Sequence, residues 1–348
     1  MRAVEALEEA QKIAFAPFVF QATVALKKLG VLDFIFENRS QHTVTISDIS
    51  SALSISSYGI SVLLEIAESS NIVTKNSANN YELTKTGYFL NYNKTVNVNL
   101  NFTNDVCYEG LFHLNSAIKT QKPEGLKVFG QWETIYEGLS QLPPRVQQSW
   151  FEFDHHYSDE IFEEAIKRVF KNKPKAIFDI GGNTGKFALQ CLRYNENVYI
   201  KIIDLPGQLK KGLKNIENNG LGDRVSGQEI NWLKPHSKIP EGADVIWMSQ
   251  FLDCFSEDEI LTILKTCVLS MKESTELIII ETFTDRQQFD NARFSLEATS
   301  LYFTALANGN SKMYTSSVFK KLIETSGLHL SEDVMLGDYH TMMVCTKK

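Results

Sequence analysis

The segment Phe178-Asp179-Ile180-Gly181-Gly182-Asn183-Thr184-Gly185 decides the fold of this 348-residue chain. Residues 176–178 form a buried apolar run that predicts a strand, and the pattern of residues 186–194 predicts a helix. Three glycines stand between the two elements. Because glycine lets a backbone approach a ligand closely, the segment predicts a strand-to-helix turn at a ligand site in an α/β sheet.

Strand and helix patterns alternate after this turn, which predicts a mostly parallel, doubly wound, Rossmann-like sheet. The last two strands, residues 328–334 and 341–346, lie close together in sequence and predict an antiparallel hairpin at one edge of the sheet. The remaining elements are strands over residues 198–203, 225–230, 243–248 and 276–280, and helices over residues 208–218 and 257–270.

The N-terminal part has the order of a winged helix. Apolar spacing predicts a helix over residues 1–35 with Gly30 as a stop, a second helix after Thr45 and a third capped by Ser56 or Ser57. A short hairpin follows. We expect three regions: a mainly helical domain over residues 1–100, a helical, aromatic-rich linker or substrate-covering layer over residues 101–170, and the sheet domain over residues 171–348.

Composition excludes several classes of partner. The net charge of −7 gives no general attraction to nucleic acid or to anionic membranes. The third helix of the winged-helix region carries Glu65 and Glu68 but no Lys or Arg, which argues against DNA binding. No apolar run is long enough for a membrane span, and the N-terminus does not resemble a signal peptide. Five scattered cysteines suggest reduced thiols, so we expect a cytoplasmic protein.

The glycine turn also indicates the type of cofactor. A dinucleotide fingerprint that starts at Gly181 requires glycine at positions 183 and 186, where the chain has Asn183 and Lys186. The pattern D-x-G-x-x-x-G instead suits a cofactor without a pyrophosphate, with Asp179 organising the turn around an ammonium group. We therefore expect S-adenosylmethionine rather than NAD.

Residues after the next two strands extend this site. Asp204 can accept both ribose hydroxyls, although an Asp in this position can also cap the following helix. Asn231 and Trp232 can flank an adenine ring, but Trp232 can equally be a core residue. The predicted cofactor-binding residues are Asp179, Gly181, Gly182, Asn183, Gly185, Asp204, Leu205, Asn231, Trp232 and Gln250.

These motifs resemble the class I S-adenosylmethionine-dependent O-methyltransferases that have an N-terminal winged-helix dimerisation domain, such as plant caffeate-type and bacterial polyketide and pigment enzymes. The resemblance covers almost the whole chain. It implies a homodimer through the N-terminal domain, methyl transfer to a hydroxyl of a small aromatic or polyketide-like acceptor, and no metal. The segments that carry it are residues 29–33, 81–87, 179–185, 204–206 and 252–259.

Two departures from the family affect catalysis. Leu252 stands where the resemblance implies a His base, and Met313 stands where it implies a Glu that orients the base. Asp253 is then the first catalytic candidate, with a loop-organising role as the alternative. His155 and His156 are further candidates, but neighbouring residues on a helix point about 100° apart, so at most one can enter the site. Phe153, Tyr157 and Met313 are predicted to bind the acceptor.

The missing His leaves other functions open. The chain can be a C-methyltransferase, or an enzyme that uses the cofactor without transferring a methyl group. A catalytically inactive regulator that binds the cofactor is the remaining alternative. These readings differ in the product that they predict, not in the cofactor.

Overall fold

The computed structural model describes residues 2–40 and 43–348, except for the side chain of Glu160. The chain divides into two compact units, residues 1–104 and residues 105–348. The second unit holds both the sheet and most of the aromatic-rich region before it. The division into three regions at residues 100 and 170 therefore stays a prediction.

The first unit has the predicted order of helices followed by an antiparallel hairpin. The long N-terminal helix ends before Gly30, which adopts a left-handed φ of 76°, and a separate short helix follows. A capping box between Thr45 and Asp48 starts the next helix, as predicted, and the Ser56 hydroxyl caps the one after it. The elements are α1 Ala3–Lys28, α2 Val31–Glu37, α3 Ile46–Leu53, α4 Ser57–Ser69, β1 Val73–Lys75, β2 Tyr81–Leu83, α5 Lys85–Tyr92 and α6 Lys94–Phe102.

The second unit starts with helices and continues as alternating strands and helices. Its helices are α7 Leu114–Thr120, α8 Ile135–Gly138, α9 Pro144–Ser158, α10 Phe162–Val169, α11 Lys186–Tyr194, α12 Pro206–Asn218, α13 Glu257–Ser270, α14 Asp290–Tyr302 and α15 Ser316–Thr325. Its strands are β3 Ala176–Ile180, β4 Tyr199–Asp204, β5 Val225–Glu229, β6 Val245–Ser249, β7 Glu276–Glu281, β8 Leu328–Leu336 and β9 His340–Lys347. The helices α11 and α13 have the bounds that the sequence predicted.

The seven strands of this unit form one sheet in the order β5-β4-β3-β6-β7-β9-β8. Neighbours from β5 to β7 are parallel, whereas β9 is antiparallel to both β7 and β8. This confirms the doubly wound sheet with an antiparallel C-terminal edge. Although β9 follows β8 in the sequence, β9 lies inside the sheet beside β7, and β8 forms the edge.

Apolar side chains cover both faces of the sheet, which explains why its central strands are continuous apolar runs. Along β3, Ile177 belongs to one core cluster and Phe178 to the other, as strand alternation requires. The strands β4 and β5 are added on one side of β3, whereas β6 and the later strands are added on its other side. Ligands of such sheets bind at the carboxyl ends of the strands near that point, and the polar residues described next lie there.

None of the helices in residues 2–40 and 43–348 is long and apolar enough to cross a lipid bilayer.

Candidate functional site

The glycine turn between β3 and α11 has the geometry that the sequence predicted. Gly181 adopts a left-handed φ of 71°. A Cβ on Gly182 would lie 2.8 Å from Oδ2 of Asp179, so the backbone passes directly over this carboxyl group. The Asp179 side chain is 2 % exposed, and its Oδ2 atom has no hydrogen-bond partner within the described part of the chain. An unsatisfied, buried oxygen beside a glycine turn is a feature that a donor group on a ligand can complete.

Asp204 connects the end of β4 to this turn. Its Oδ2 atom accepts the Asn183 backbone N–H at 2.8 Å, and its Oδ1 atom accepts the Leu205 N–H at 2.7 Å. The carboxyl group therefore ties the end of β4 to the glycine turn, and it is Leu205, not Asp204, that stands at the N-cap of α12. Each carboxylate oxygen has a second lone pair, so these contacts leave capacity for ribose hydroxyls.

The helix α9 contacts the same turn from the other side. Oδ2 of Asp154 accepts a hydrogen bond from Asn183 Nδ2 at 2.9 Å. Nε2 of His155 lies 3.5 Å from the Thr184 hydroxyl, and its Nδ1 lies 3.5 Å from Oδ1 of Asp159. Both ring nitrogens of His155 therefore face groups around the glycine turn. The His156 ring instead contacts Tyr157 edge-on, with centroids 5.0 Å apart.

The turn after β6 carries the predicted catalytic residue. The Asp253 side chain is 5 % exposed, and the Cys254 thiol donates to its Oδ1 atom at 3.5 Å. Burial is the main cause that raises the pKa of Asp253 to about 7, and the charge of Asp154 raises it further. Leu252, at the position where the resemblance implies a His, is fully buried in one of the two apolar clusters that cover the sheet. A carboxyl group that titrates near neutral pH can accept a proton at the pH of the cell.

The sequence analysis missed Glu281, the last residue of β7. Its side chain is 1 % exposed, and Oε1 accepts the backbone N–H groups of Phe251 and Leu252 at 3.3 and 2.9 Å. Burial, followed by the charge of Asp253, raises the pKa of Glu281 well above its usual value. Glu281 thus holds the turn that carries Asp253. The sequence did contain a signal for Glu281, because this charged residue directly follows four apolar residues at the carboxyl end of a predicted strand.

The residues predicted to hold an adenine ring lie after β5. Trp232 packs against Phe251 with ring centroids 6.2 Å apart, and its buried Nε1 atom has no partner within the described residues. The Asn231 side chain accepts the Leu233 N–H at 3.0 Å, so it organises its own loop. Among the described residues, the indole packs against an aromatic ring and its N–H has no acceptor. Both interpretations of Trp232, contact with an adenine ring or a place in the core, are compatible with these features.

The residues predicted to bind an acceptor have aromatic and sulfur-containing side chains. Phe153 and Tyr157 lie on α9 with ring centroids 5.1 Å apart, and the Met313 sulfur lies 3.9 Å from the Thr282 hydroxyl. The sequence did not predict Trp150 and Tyr302, whose side chains join through a hydrogen bond of 2.7 Å from the indole Nε1 to the phenol oxygen. Their wide separation in the chain gave no sequence signal for this contact.

The acidic groups of this edge affect one another. Burial raises the pKa of Asp179 to about 7, with a further contribution from Asp204, and burial raises the pKa of Asp204 to about 6. Asp154 adds to the raised pKa values of Asp204 and Asp253. Among the described residues, the basic group that lies within 4.0 Å of these four carboxyl groups or Glu281 is His155, whose Nδ1 atom is 3.8 Å from Oδ2 of Asp154. A cationic ligand would relieve this buried negative charge.

The donor set is unlike that of a metal centre. In residues 2–40 and 43–348, no three His, Cys, Asp or Glu side chains are grouped so that they could hold a metal ion. The residues that the sequence predicted for the cofactor lie instead at the ends of β3, β4, β5 and β6. Gln250 follows β6, where its side-chain nitrogen donates to the Tyr157 carbonyl at 3.0 Å.

Comparison with known families places this architecture in a class. The O-methyltransferase domain family matches residues 112–329, and the Dimerisation2-like domain family matches residues 8–81. The first match covers more than half of the chain. The chain therefore belongs to the O-methyltransferase domain family.

Particular relatives are more distant. O-methyltransferase SfmM3 of Streptomyces lavendulae is 22% identical over 171 residues, which cover 49% of this chain and 50% of that protein. Aclacinomycin 10-hydroxylase RdmB of Streptomyces purpurascens is 27% identical over 105 residues, which cover 30% of this chain and 27% of that protein. The chain thus spans half or less of the length of these curated relatives.

Solved structures match over almost the whole chain. The mitomycin 7-O-methyltransferase MmcR superposes with a TM-score of 0.74 at 16% identity and covers 99% of this chain and 98% of its own. NcsB1, an O-methyltransferase of neocarzinostatin biosynthesis solved with S-adenosylmethionine and 2-hydroxy-5-methyl naphthoic acid, gives a TM-score of 0.67 at 17% identity, with coverage of 94% and 96%. At this identity the likeness establishes the shared fold.

Proposed function

We propose that the protein is an S-adenosylmethionine-dependent methyltransferase that methylates a hydroxyl group of a small aromatic or polyketide-like acceptor. The observation that carries this proposal is the glycine turn at β3, flanked by the buried, mutually repelling carboxyl groups of Asp179 and Asp204. These groups suit a ligand with an ammonium group and a sulfonium. Family membership favours O-methylation over C-methylation, a non-methylating reaction or a regulatory role.

The residues of the turn and of the neighbouring strand ends would hold the cofactor. Asp179 and the turn backbone from Gly181 to Gly185 face its amino-acid part, Asp204 and Leu205 face the ribose, and Asn231 and Trp232 face the base. Within the described residues, Asp179 Oδ2 and Trp232 Nε1 have no hydrogen-bond partner, which fits a ligand with hydrogen-bonding groups at both ends. When bound, S-adenosylmethionine supplies an electrophilic methyl group on a positively charged sulfur.

Asp253 is our candidate for the base. The Asp253 carboxylate would take the hydroxyl proton of the acceptor, whose oxygen would then receive the methyl group that bound S-adenosylmethionine supplies. A phenol needs only modest help from a base, because most of the acceleration in such a displacement comes from the placement of the reactants. Phe153, Tyr157 and Met313 would orient the acceptor.

The two histidines take different places in this proposal. His155 contacts Thr184 and Asp159, so we assign it to the cofactor side of the site. His156 remains a candidate for contact with the acceptor, since its ring lies against Tyr157.

The assembly and location are further parts of the proposal. The match to a dimerisation family over residues 8–81 supports a homodimer through the N-terminal unit. The five free cysteines of the described chain fit a reducing compartment, which supports the cytoplasm. We propose no nucleic-acid partner and no membrane attachment.

Calorimetric titration with S-adenosylhomocysteine tests the cofactor. We expect binding in the micromolar range, and absence of binding would contradict the assignment of the glycine turn. Incubation with methyl-labelled S-adenosylmethionine and a panel of phenols and hydroxyquinones then tests the reaction. The carbon chemical shift of the transferred methyl group distinguishes an O-methyl product from a C-methyl product.

Replacement of the proposed base is the sharper test. We expect Asp253→Asn to lower kcat by about 100-fold or more, the range for loss of a general base, while the affinity for S-adenosylhomocysteine stays unchanged. Asp258→Asn is the matched control, because Asp258 is an exposed residue of α13. Equal activity of the two variants would refute the role of Asp253.

A further inference from the structure

A buried polar link joins three separate elements of the second unit. Nε2 of the Gln250 amide lies 3.0 Å from the Tyr157 carbonyl oxygen and 2.8 Å from Nε2 of His340. Gln250 follows β6, Tyr157 lies in the last turn of α9, and His340 is the first residue of β9. None of the functions assigned above uses His340.

The chemistry of the link determines its proton positions. The His340 side chain is 4 % exposed. Burial lowers the pKa of His340 to about 4, and its contact with the Tyr157 backbone opposes this effect. The ring is therefore neutral at neutral pH, and its Nε2 lone pair can accept one N–H of the Gln250 amide while the other N–H goes to Tyr157.

Both ends of the link have a local reason to exist. The Tyr157 carbonyl lies in the last turn of α9 and accepts the Gln250 amide N–H. Gln250 has a left-handed φ of 47°, which is unfavourable for a residue with a side chain. Such a conformation persists when surrounding contacts hold it, and the Gln250 amide supplies two of them.

The link connects the turn that carries the proposed base to the helix that contacts the glycine turn. The turn that begins at Gln250 continues to Asp253, the proposed base. The helix that ends beyond Tyr157 carries Asp154 and His155, which contact the glycine turn at Asn183 and Thr184. A shift of α9 against this turn would therefore change the distance between the cofactor side and the base.

We infer that Gln250 and His340 are positioning residues for the transfer step: their hydrogen bonds fix the turn of Asp253 against α9. The inference rests on the proposed function. It assigns no contact with the reacting atoms to either residue. Correct placement of donor, acceptor and base contributes strongly to such reactions, and a displacement of about 1 Å can cost 100-fold in rate.

Kinetics of His340→Phe and Gln250→Leu test this inference. Both variants keep much of the side-chain volume and remove the link. We expect kcat to fall about tenfold or more in each, with the affinity of His340→Phe for S-adenosylhomocysteine unchanged in calorimetry. His340→Gln, which can again offer an acceptor to the Gln250 amide, should recover part of kcat. Thr341→Val is the matched control, because Thr341 is the next residue of β9 and is fully buried.

The double variant separates a shared role from two independent ones. If the link acts as a unit, His340→Phe combined with Gln250→Leu should lose no more than either single variant. Additive losses, or a kcat of His340→Phe equal to that of Thr341→Val, would overturn the inference. Failure of the wild-type protein to bind S-adenosylhomocysteine or to form product would instead contradict the proposed function. Gln250→Leu keeps the test available if His340→Phe does not fold.

Discussion

Leu252 removes an imidazole from the position where the family resemblance implies a base, and the structure places its side chain entirely within the core. The proposed function therefore requires another proton acceptor. Asp253 is adjacent and buried, and its pKa is raised to about 7. The pKa of Asp253 is raised by the charge of Asp154 on α9 and lowered by hydrogen bonds from Cys254 on its own turn.

The rate of the proposed reaction should follow the ionisation of Asp253. Because only the carboxylate accepts a proton, kcat/KM for the acceptor should rise as the pH passes through about 7 and then level off. The measurement is a pH profile of wild-type protein, Asp253→Asn and His156→Asn. An inflection that persists in Asp253→Asn and disappears in His156→Asn would assign the base to the histidine.

Glu281 and Leu252 show which features of single residues can be recognised from the sequence and which cannot. The sequence identified the absence of His at position 252, because a local motif surrounds it. It did not identify Glu281 as the residue that fixes the Asp253 turn, because this contact joins residues 29 to 30 positions apart. Trp150 and Tyr302 are 152 positions apart and were missed for the same reason.

At the scale of elements, the helix α9 contacts the glycine turn through Asp154. We expect Asp154→Ala to weaken S-adenosylhomocysteine binding by about fivefold to tenfold, since it removes one side-chain hydrogen bond that holds Asn183. Calorimetry measures the effect. Glu152→Ala on the same helix is the control, because Glu152 is exposed. An affinity of Asp154→Ala equal to that of the control would contradict a role for this contact.

Most elements could be predicted because their signals are local. Capping residues such as Thr45 and Ser56 and the glycines of the turn mark boundaries independently of tertiary structure. The contacts between α9 and the glycine turn could not be predicted, because a helix with polar residues on several faces does not specify its partner. The sequence therefore predicted that His155 and Asp253 belong to one site, but it did not predict which residues lie around each of them.

At the scale of the whole second unit, buried acids make stability depend on pH. The pKa of Asp179 is raised in the folded protein, so the folded state favours its protonated form. Its contribution to stability is complete below the unfolded pKa, near 4, and is lost as the pH rises through about 7. The ligand-free protein should therefore have a lower Tm at pH 8 than at pH 5.

Asp179→Asn should remove much of this loss. We expect a Tm several degrees above that of the wild-type protein at pH 8, a smaller difference at pH 5, and no binding of S-adenosylhomocysteine. Thermal denaturation across this pH range measures the effect. Asp223→Asn, at an exposed residue, is the control. A variant no more stable than wild type at pH 8 would mean that the Asp179 charge is compensated.

The position of β9 has a consequence for synthesis of the chain. This strand, residues His340–Lys347, lies between β7 and β8 and pairs with both. While a ribosome is still making these residues, β7 has no neighbour on one side and β8 has no place in the sheet. Domains can fold during synthesis as soon as their segments have emerged. The second unit cannot complete its sheet before β9 has been synthesised, so the open edge of β7 needs protection until these residues have emerged.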